Sequence, residues 1–186
     1  MHRPNSSLKR ASLASLVSAV LLLTTLGAAH AAQIVGSLGI SQAPDGGSNQ
    51  TFYAVALRNA LLPKTQGEIQ VGYRSETREI AGQSFDVRTT PVTLSLWASP
   101  VPMLYAGGGV GLYLQSVKYG GNIYPASNDT NFGAHLGGGM HFSMTPMVGL
   151  DLQGRYVFLK DQATALASGN FNPSFWTLSA GLAIGF

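Results

Sequence analysis

The chain ends in the sequence FWTLSAGLAIGF (residues 175–186), and this segment decides how the rest of the chain is interpreted. Large apolar side chains take most of the alternate positions, and small or hydroxylated side chains take the positions between them. A strand built from such a segment has one apolar face and one small, polar face. An aromatic residue at the last position indicates a strand that stays paired to its end. The apolar face carries Trp176, Leu178, Leu182, Ile184 and Phe186.

Alternation of this kind runs through the chain from residue 33 onward. In EIQVGYRSET (residues 68–77), for example, Ile69, Val71 and Tyr73 alternate with charged, amide and small side chains. After residue 32 we find no segment with a comparable helical period. The sequence predicts strands near 33–41, 51–60, 67–77, 85–98, 103–117, 131–143, 148–159 and 175–186.

The connections between these segments alternate in length. Strands that cross a bilayer at a tilt need about 9–11 residues, and outer-membrane barrels have short turns at one end and long loops at the other. We therefore predict an all-β fold, an eight-stranded antiparallel up-and-down transmembrane β-barrel whose closure pairs every backbone polar group. The short, proline-centred links are 61–66, 99–102 and 144–147. The long links, rich in Gly, Asn, Asp and Ser, are 42–50, 78–84, 118–130 and 160–174.

Residues 1–31 have the three-part layout of a secretory signal peptide. Arg3, Lys9 and Arg10 come first without an acid, an uncharged apolar stretch follows, and small residues at Ala29 and Ala31 suit a signal peptidase. We expect cleavage after residue 31, export through the inner membrane, and a mature domain of residues 32–186 that forms the barrel in the outer membrane.

Loss of the signal peptide makes the mature chain formally neutral. Three of the 11 Lys and Arg residues lie in residues 1–31, which leaves eight cations against the 8 acids. No basic patch is expected, which argues against nucleic acid as a partner. The chain has no cysteine, so disulfides and thiolate metal sites are excluded.

Several segments resemble a known family. The terminal Phe186 with its alternating apolar residues resembles the C-terminal signal by which outer-membrane proteins are inserted, which implies the barrel assembly machinery as a partner. The segments LYAGGGVGLYL (104–114), NFGAHLGGGMHFSMTP (131–146) and GLDLQGRYVF (149–158) resemble the small barrels of opacity-type proteins and outer-membrane proteins A and X. The resemblance implies a Gram-negative outer membrane, contact with its lipid and lipopolysaccharide, and a structural or adhesion-like surface role without a reaction or cofactor.

The inward positions of the predicted strands are polar, and their acids and bases nearly match. Because an eight-stranded barrel is just wide enough for side chains to fill it, we expect a charge-paired plug. A narrow pore through the same network is the alternative. The expected network is Arg58, Glu68, Gln70, Arg74, Glu76, Asp151, Gln153 and Arg155, joined by Tyr105, Tyr113, His135 and His141.

One constellation points to hydrolysis. His141 and Ser143 share a face, and pairing across the turn at 144–147 brings Asp151 beside His141, which gives the residue types of a catalytic triad. The arrangement is similar to that of the eight-stranded lipid A deacylases, but here the trio is expected inside the barrel at the periplasmic end. A structural His141–Asp151 pair is the preferred interpretation. His135 lies about 20 Å from His141 by strand rise, so the two do not share a metal.

Two further possibilities remain open. The long links could bind an extracellular ligand, because loops on a rigid barrel usually carry the binding function. A secreted barrel of lipocalin type would also alternate, but its apolar face points inward. The charges of Glu68, Arg74 and Asp151 lie opposite the more continuous apolar face, which favours a membrane barrel.

Overall fold

The computed structural model describes residues 32–44, 49–80, 83–119, 127–160, 162–163 and 170–186. Eight antiparallel strands close a barrel, and two short strands pair in a separate ribbon. The predicted fold is confirmed. The predicted signal peptide lies outside the described residues and stays a prediction. The strands are β1 Ala32–Gln42, β2 Gln50–Leu62, β3 Thr65–Ile80, β4 Gln83–Val101, β5 Leu104–Tyr119, β6 Ser127–Ser143, β7 Val148–Leu159, β8 Gln162–Ala163, β9 Asn170–Phe171 and β10 Phe175–Gly185. The order around the barrel is β1-β10-β7-β6-β5-β4-β3-β2, and β8 pairs with β9 in the ribbon.

The first and last strands of the barrel close it. The β1–β10 ladder runs from Gln33 opposite Gly185 to Gln42 opposite Trp176. Phe186 lies beyond the last strand residue, and its backbone N–H still donates to the carbonyl of Ala32 at 3.0 Å. The chain end is therefore held by pairing, as its aromatic residue indicates. No helix in the described ranges is long and apolar enough to span a membrane.

The two faces of the sheet have opposite character. Outward positions carry exposed apolar side chains, such as Leu38, Leu136 and Leu178, whereas inward positions bury charged side chains, such as Glu68 and Arg58. A soluble barrel has the reverse arrangement, with its apolar residues in the core. The alternation seen in the sequence is thus the alternation between lipid and lumen.

The long connections are shorter than predicted. β3 continues to Ile80 and β4 begins at Gln83, so most of the predicted loop 78–84 is strand. The predicted loop 118–130 is likewise shortened, because β5 reaches Tyr119 and β6 begins at Ser127. The physical reason is that polar side chains do not interrupt a backbone ladder, so pairing continues beyond the apolar band.

Three tight turns, at residues 62–65, 101–104 and 143–148, define what we call the short-turn end. In two of them a proline is followed by a residue with positive φ, Lys64 at 64° and Met103 at 73°. Proline fixes the first φ near −65°, and the second position of such a turn ordinarily takes Gly or Asn. The turns therefore begin where the proline-centred links predict them.

Candidate functional site in the barrel interior

Arg58 lies at the centre of the polar interior. Its Nε donates to Glu68 Oε2 at 2.5 Å, and its Nη1 and Nη2 donate to Asp151 Oδ2 at 2.6 Å and Oδ1 at 3.0 Å. All three side chains are buried. Charge-assisted, two-pronged pairing of this kind fixes both the distance and the orientation of its partners. Strands β2, β3 and β7 are thereby joined across the lumen.

Arg155 adds a second cation to the same cluster. Its Nη2 pairs with Glu68 Oε1, and its Nε donates to Gln153 Oε1 at 2.7 Å. Its guanidinium carbon also lies 5.1 Å from the centroid of the Trp97 ring. With Arg58 the cluster contains two guanidinium groups and two carboxylates, so its charges balance.

Hydroxyl and imidazole groups complete the hydrogen bonding of this cluster. The Tyr105 hydroxyl donates to Asp151 Oδ1 at 2.8 Å and accepts a hydrogen bond from Gln153 Nε2 at 3.1 Å. Ser95 Oγ lies 2.9 Å from Nε2 of the buried His135. Burial of charge is tolerated where the ions are paired and their remaining polar atoms are hydrogen-bonded, which is the situation here.

A second layer lies nearer the long-loop end. Arg74 Nη2 pairs with Glu76 Oε2 at 2.5 Å, and the Arg74 guanidinium lies 4.3 Å from the Phe175 ring centroid. Phe175 meets Tyr113 edge to face at 6.1 Å. Together with Val157 these rings form an apolar cluster inside the barrel. The predicted network is thus assembled in two layers, and the remaining predicted member, Gln70, is buried with them.

Sequence reasoning missed two of the largest interior side chains. Trp97 is 0% exposed and Phe175, the first residue after the long link 160–174, is 1% exposed. Their parity, that is, whether they occupy the inward or the outward set of alternate strand positions, could have identified them. Trp97 has the inward parity of Ser95, and Phe175 has the inward parity of Thr177.

Two glycines of the barrel wall are required by close approaches. A Cβ on Gly139 would lie 2.5 Å from the Tyr105 hydroxyl oxygen, and a Cβ on Gly107 would lie 2.0 Å from the Leu96 carbonyl oxygen. Only a residue without a side chain fits at such approaches. Gly139 of β6 therefore leaves the space that the Tyr105 ring occupies, and Gly107 of β5 permits the close approach of β4.

The structure brings His141 and Asp151 together but builds no catalytic triad from them and Ser143. His141 lies opposite Asp151 in the β6–β7 ladder, and its Nδ1 is 3.6 Å from Asp151 Oδ2. Both Asp151 oxygens are already held by Arg58 and Tyr105. Ser143 is exposed, and the hydrogen bonds of the described residues include none between it and His141.

A cavity of about 490 Å³ opens at the short-turn end, and we call it the mouth cavity. It is lined by Gln66, Ser99, Met103, Tyr105, His141 and Ser143, among others. Within the described ranges, no three residues of the types His, Cys, Asp and Glu are grouped so that they could hold a metal ion. Of the predicted ligand-binding loops, residues 45–48, 81–82, 120–126, 161 and 164–169 lie outside the described residues.

The residues of the predicted C-terminal insertion signal lie on the outer face. Leu178, Leu182 and Ile184 are exposed there, Trp176 is half-buried, and Phe186 is exposed at the short-turn end. Their role in insertion stays a prediction.

No protein-family model and no curated protein sequence matches the chain. Solved barrels do. The outer membrane protein OprG from Pseudomonas aeruginosa aligns with a TM-score of 0.62 at 12% identity, over 87% of this chain and 98% of its own. Ail, the attachment invasion locus protein of Yersinia pestis, aligns with a TM-score of 0.56 at 13% identity, over 84% of this chain and 98% of its own. Neisserial surface protein A aligns with a TM-score of 0.56 at 14% identity, over 84% of this chain and 97% of its own.

At such identities the likeness identifies the architecture. The resemblance inferred from residues 104–114, 131–146 and 149–158 is confirmed at the level of the fold. The chain has the fold of the small eight-stranded outer-membrane β-barrels.

Proposed function

We propose that this protein is an integral outer-membrane barrel with a sealed lumen, which stabilises the envelope and interacts with other surfaces through its long loops. The observation that carries the proposal is the interior. Paired Arg58, Glu68, Arg155 and Asp151 span the lumen, and Trp97 packs against them. Because the lumen is filled, contacts with other molecules are left to the loops and the outer face.

The structural neighbours support an adhesion-like role. Ail is named as an attachment and invasion protein, and its barrel has the same architecture as this chain. Loops on rigid barrels are the usual place for such contacts. In this chain the four long links are 42–50, 78–84, 118–130 and 160–174.

The charge of those links limits the ligand class. Their three cations are Arg78, Lys118 and Lys160, and they contain four acidic residues. A sulfated, polyanionic ligand needs a basic patch, so the heparin analogue found with Ail is not expected for this chain. The apolar and aromatic side chains of the links, such as Ile123 and Tyr124, favour an uncharged protein surface instead.

Location and architecture are tested first by fractionation. The full chain is expected in the outer-membrane fraction, with a mobility on SDS gels that shifts on boiling, because closed membrane barrels resist SDS until heated. A single unshifted band in the soluble periplasm would contradict the proposal.

The surface role is tested by display. Bacteria that lack adhesins of their own would express the full chain on their surface. The number of cells that attach to a cultured epithelial monolayer would be counted and compared with that of cells carrying the empty vector. We expect increased attachment, and reduced attachment for the variant Ile123→Ser with Tyr124→Ser. The heat-dependent mobility shift of the variant controls for folding. Attachment equal to that of the empty vector would refute the adhesion-like role and leave a purely structural one.

A further inference from the structure

Arg88 of β4 differs from the arginines of the lumen. Arg58 and Arg155 are buried and paired with carboxylates, whereas Arg88 is exposed on the outer face, with the outward parity of Leu94 and Leu96. In the part of the chain that the structure describes, no ion pair or side-chain hydrogen bond engages its guanidinium group. A cation on the lipid-facing surface is therefore left without a partner from the protein.

The depth of Arg88 places it at the edge of the apolar band. Towards the short-turn end, the next outward side chains after Thr90 are apolar, namely Val92, Leu94 and Leu96. Ten residues separate Arg88 from Ala98, an outward residue near the turn at 101–104. With a rise of about 3.4 Å per residue and a strand tilt of about 40°, this is roughly 26 Å along the membrane normal, the height of such a band. Arg88 thus lies at the membrane interface of the long-loop end, where a charge is tolerated.

Two hydroxyl side chains flank Arg88 on neighbouring strands. Ser75 of β3 and Ser116 of β5 are its direct cross-strand partners. Residues directly opposite each other project on the same face of the sheet, with Cβ atoms about 4.5–5.5 Å apart. Both serines are half-buried, and Arg88 between them is exposed. The ladders therefore bring one guanidinium and two hydroxyl groups together on the outer face.

The acid on the same face of β4 is engaged elsewhere. Asp86 lies two residues further from the bilayer than Arg88, and its Oδ1 accepts a hydrogen bond from Thr77 Oγ1 at 2.7 Å. In the ladder with β5, Asp86 stands opposite Lys118. The side of Arg88 that faces the bilayer is flanked instead by the exposed apolar side chains of Tyr73 and Leu114. An anion that approaches from the membrane can therefore reach Arg88 without passing Asp86.

The donors of this group match a phosphate monoester. A guanidinium offers two parallel N–H groups to a phosphate, and the two serines add one O–H donor each. A phosphate monoester has three terminal oxygens and carries up to two negative charges, whereas the phosphate diester of a phospholipid headgroup has two such oxygens and one charge. Lipid A carries phosphate monoesters on its sugars, at the border of the hydrocarbon region, with acyl chains directly below them.

We propose that Arg88, Ser75 and Ser116 form a binding site for a phosphate monoester of lipid A in the outer leaflet. The acyl chains of this lipid would lie against Tyr73 and Leu114, towards the bilayer. The inference rests on the outer-membrane location proposed above, with the long-loop end outside.

The site can be tested by NMR on the full chain in zwitterionic detergent micelles. Its arginines would be labelled with ¹⁵N, and lipid A would be titrated while the side-chain Nε–H signals are recorded. We expect the Arg88 signal to shift and to saturate, with the signals of the buried Arg58 and Arg155 unchanged. Phosphatidylglycerol, a phosphate diester, should shift the Arg88 signal only at much higher mole fractions. An equal response to the two lipids would overturn the site, because it would show unselective attraction of anions.

Matched substitutions give a second measurement, with the ³¹P signals of lipid A as the readout. Arg88→Gln is expected to weaken lipid A binding about tenfold or more, because it removes the charge and the paired N–H donors. Ser75→Ala with Ser116→Ala should weaken it by a smaller factor. The control Lys64→Gln removes the same charge from an exposed position at the short-turn end and should leave the affinity unchanged. Undiminished binding by Arg88→Gln, or an equal loss in Lys64→Gln, would refute the proposal.

The heat-dependent mobility shift confirms that each variant is folded before it is titrated. Because the titrations use the folded barrel in micelles, a failure to bind lipid A would refute this site and leave the outer-membrane location standing. Absence of the chain from the outer-membrane fraction would instead refute the location on which the site rests.

Discussion

Arg58 and Asp151 are 93 residues apart in the chain, and they meet across the lumen through two hydrogen bonds of 2.6 Å and 3.0 Å. Their strands, β2 and β7, are not neighbours in the barrel. The pair therefore acts as a strut through the interior rather than as a link between adjacent strands.

Replacing Arg58 by methionine is expected to destabilise the folded barrel by about 3–5 kcal/mol, because it leaves the buried Asp151 without its cation. The free energy of unfolding would be measured by denaturant titration in detergent micelles. Adding Asp151→Asn to the variant removes the unpaired charge and should recover part of the loss. A loss of unfolding free energy no larger than that caused by a surface substitution would contradict this role of the Arg58–Asp151 pair.

The intact barrel is expected to give no reproducible conductance steps in planar bilayers. Trp97 and Tyr105 meet edge to face with ring centroids 5.5 Å apart and fill the lumen beside the ion pairs. The variant Trp97→Ala with Tyr105→Ala removes this filling and should conduct. Regular conductance steps from the unaltered chain would instead favour the narrow pore.

Gly107→Ala is expected to lower the yield of folded barrel strongly, since the added Cβ would lie 2.0 Å from a backbone oxygen. Gly36→Ala is the matched control, because a Cβ there meets nothing within 4 Å. The fraction that shows the heat-dependent mobility shift measures both. Equal yields would mean that β5 can move away from β4 to accommodate the added methyl group.

The double substitution His141→Ala with Ser143→Ala is expected to leave lipid A composition unchanged in mass spectrometry. Asp151 is engaged by Arg58 and Tyr105, so it is not available to orient His141 as a general base. The informative comparison is between cells with and without the unaltered chain. Loss of an acyl chain from lipid A in cells that express it, reversed by the double substitution, would establish the hydrolase.

Deleting Phe186 is expected to reduce the amount of barrel assembled in the outer membrane, because its terminal ring resembles an insertion signal. Refolding of the purified chain into micelles should be nearly unaffected, since Phe186 contributes only one backbone hydrogen bond to closure, that to Ala32. A deletion that impairs refolding and assembly equally would assign Phe186 a structural role alone.

Much of this fold follows from period-2 alternation, which separates Glu68 and Asp151 from the lipid-facing residues without any knowledge of pairing. The partners inside the lumen do not follow from it. Whether Arg58 meets Asp151 depends on the register of three successive ladders, and an offset in any one of them would move the pair apart. The cross-lumen contact of Arg155 with Glu68 is unpredictable for the same reason.

The length of the long connections was also beyond the sequence, because the ladder of β3 and β4 continues through polar residues up to Ile80 and Gln83. Trp97 and Phe175, by contrast, could have been placed inside by parity alone. The mouth cavity combines residues of four successive strands and their turns, so its lining depends on the register of the three ladders that join them.

Closure by β1 and β10 also restricts how this architecture can change in size. The first and last strands can pair antiparallel only if the number of strands is even, so loss of one strand would leave two edges that cannot form this antiparallel ladder. A barrel that keeps antiparallel closure can therefore gain or lose strands only as whole hairpins. The four long links, each between the two strands of such a hairpin, are the points at which length can vary freely.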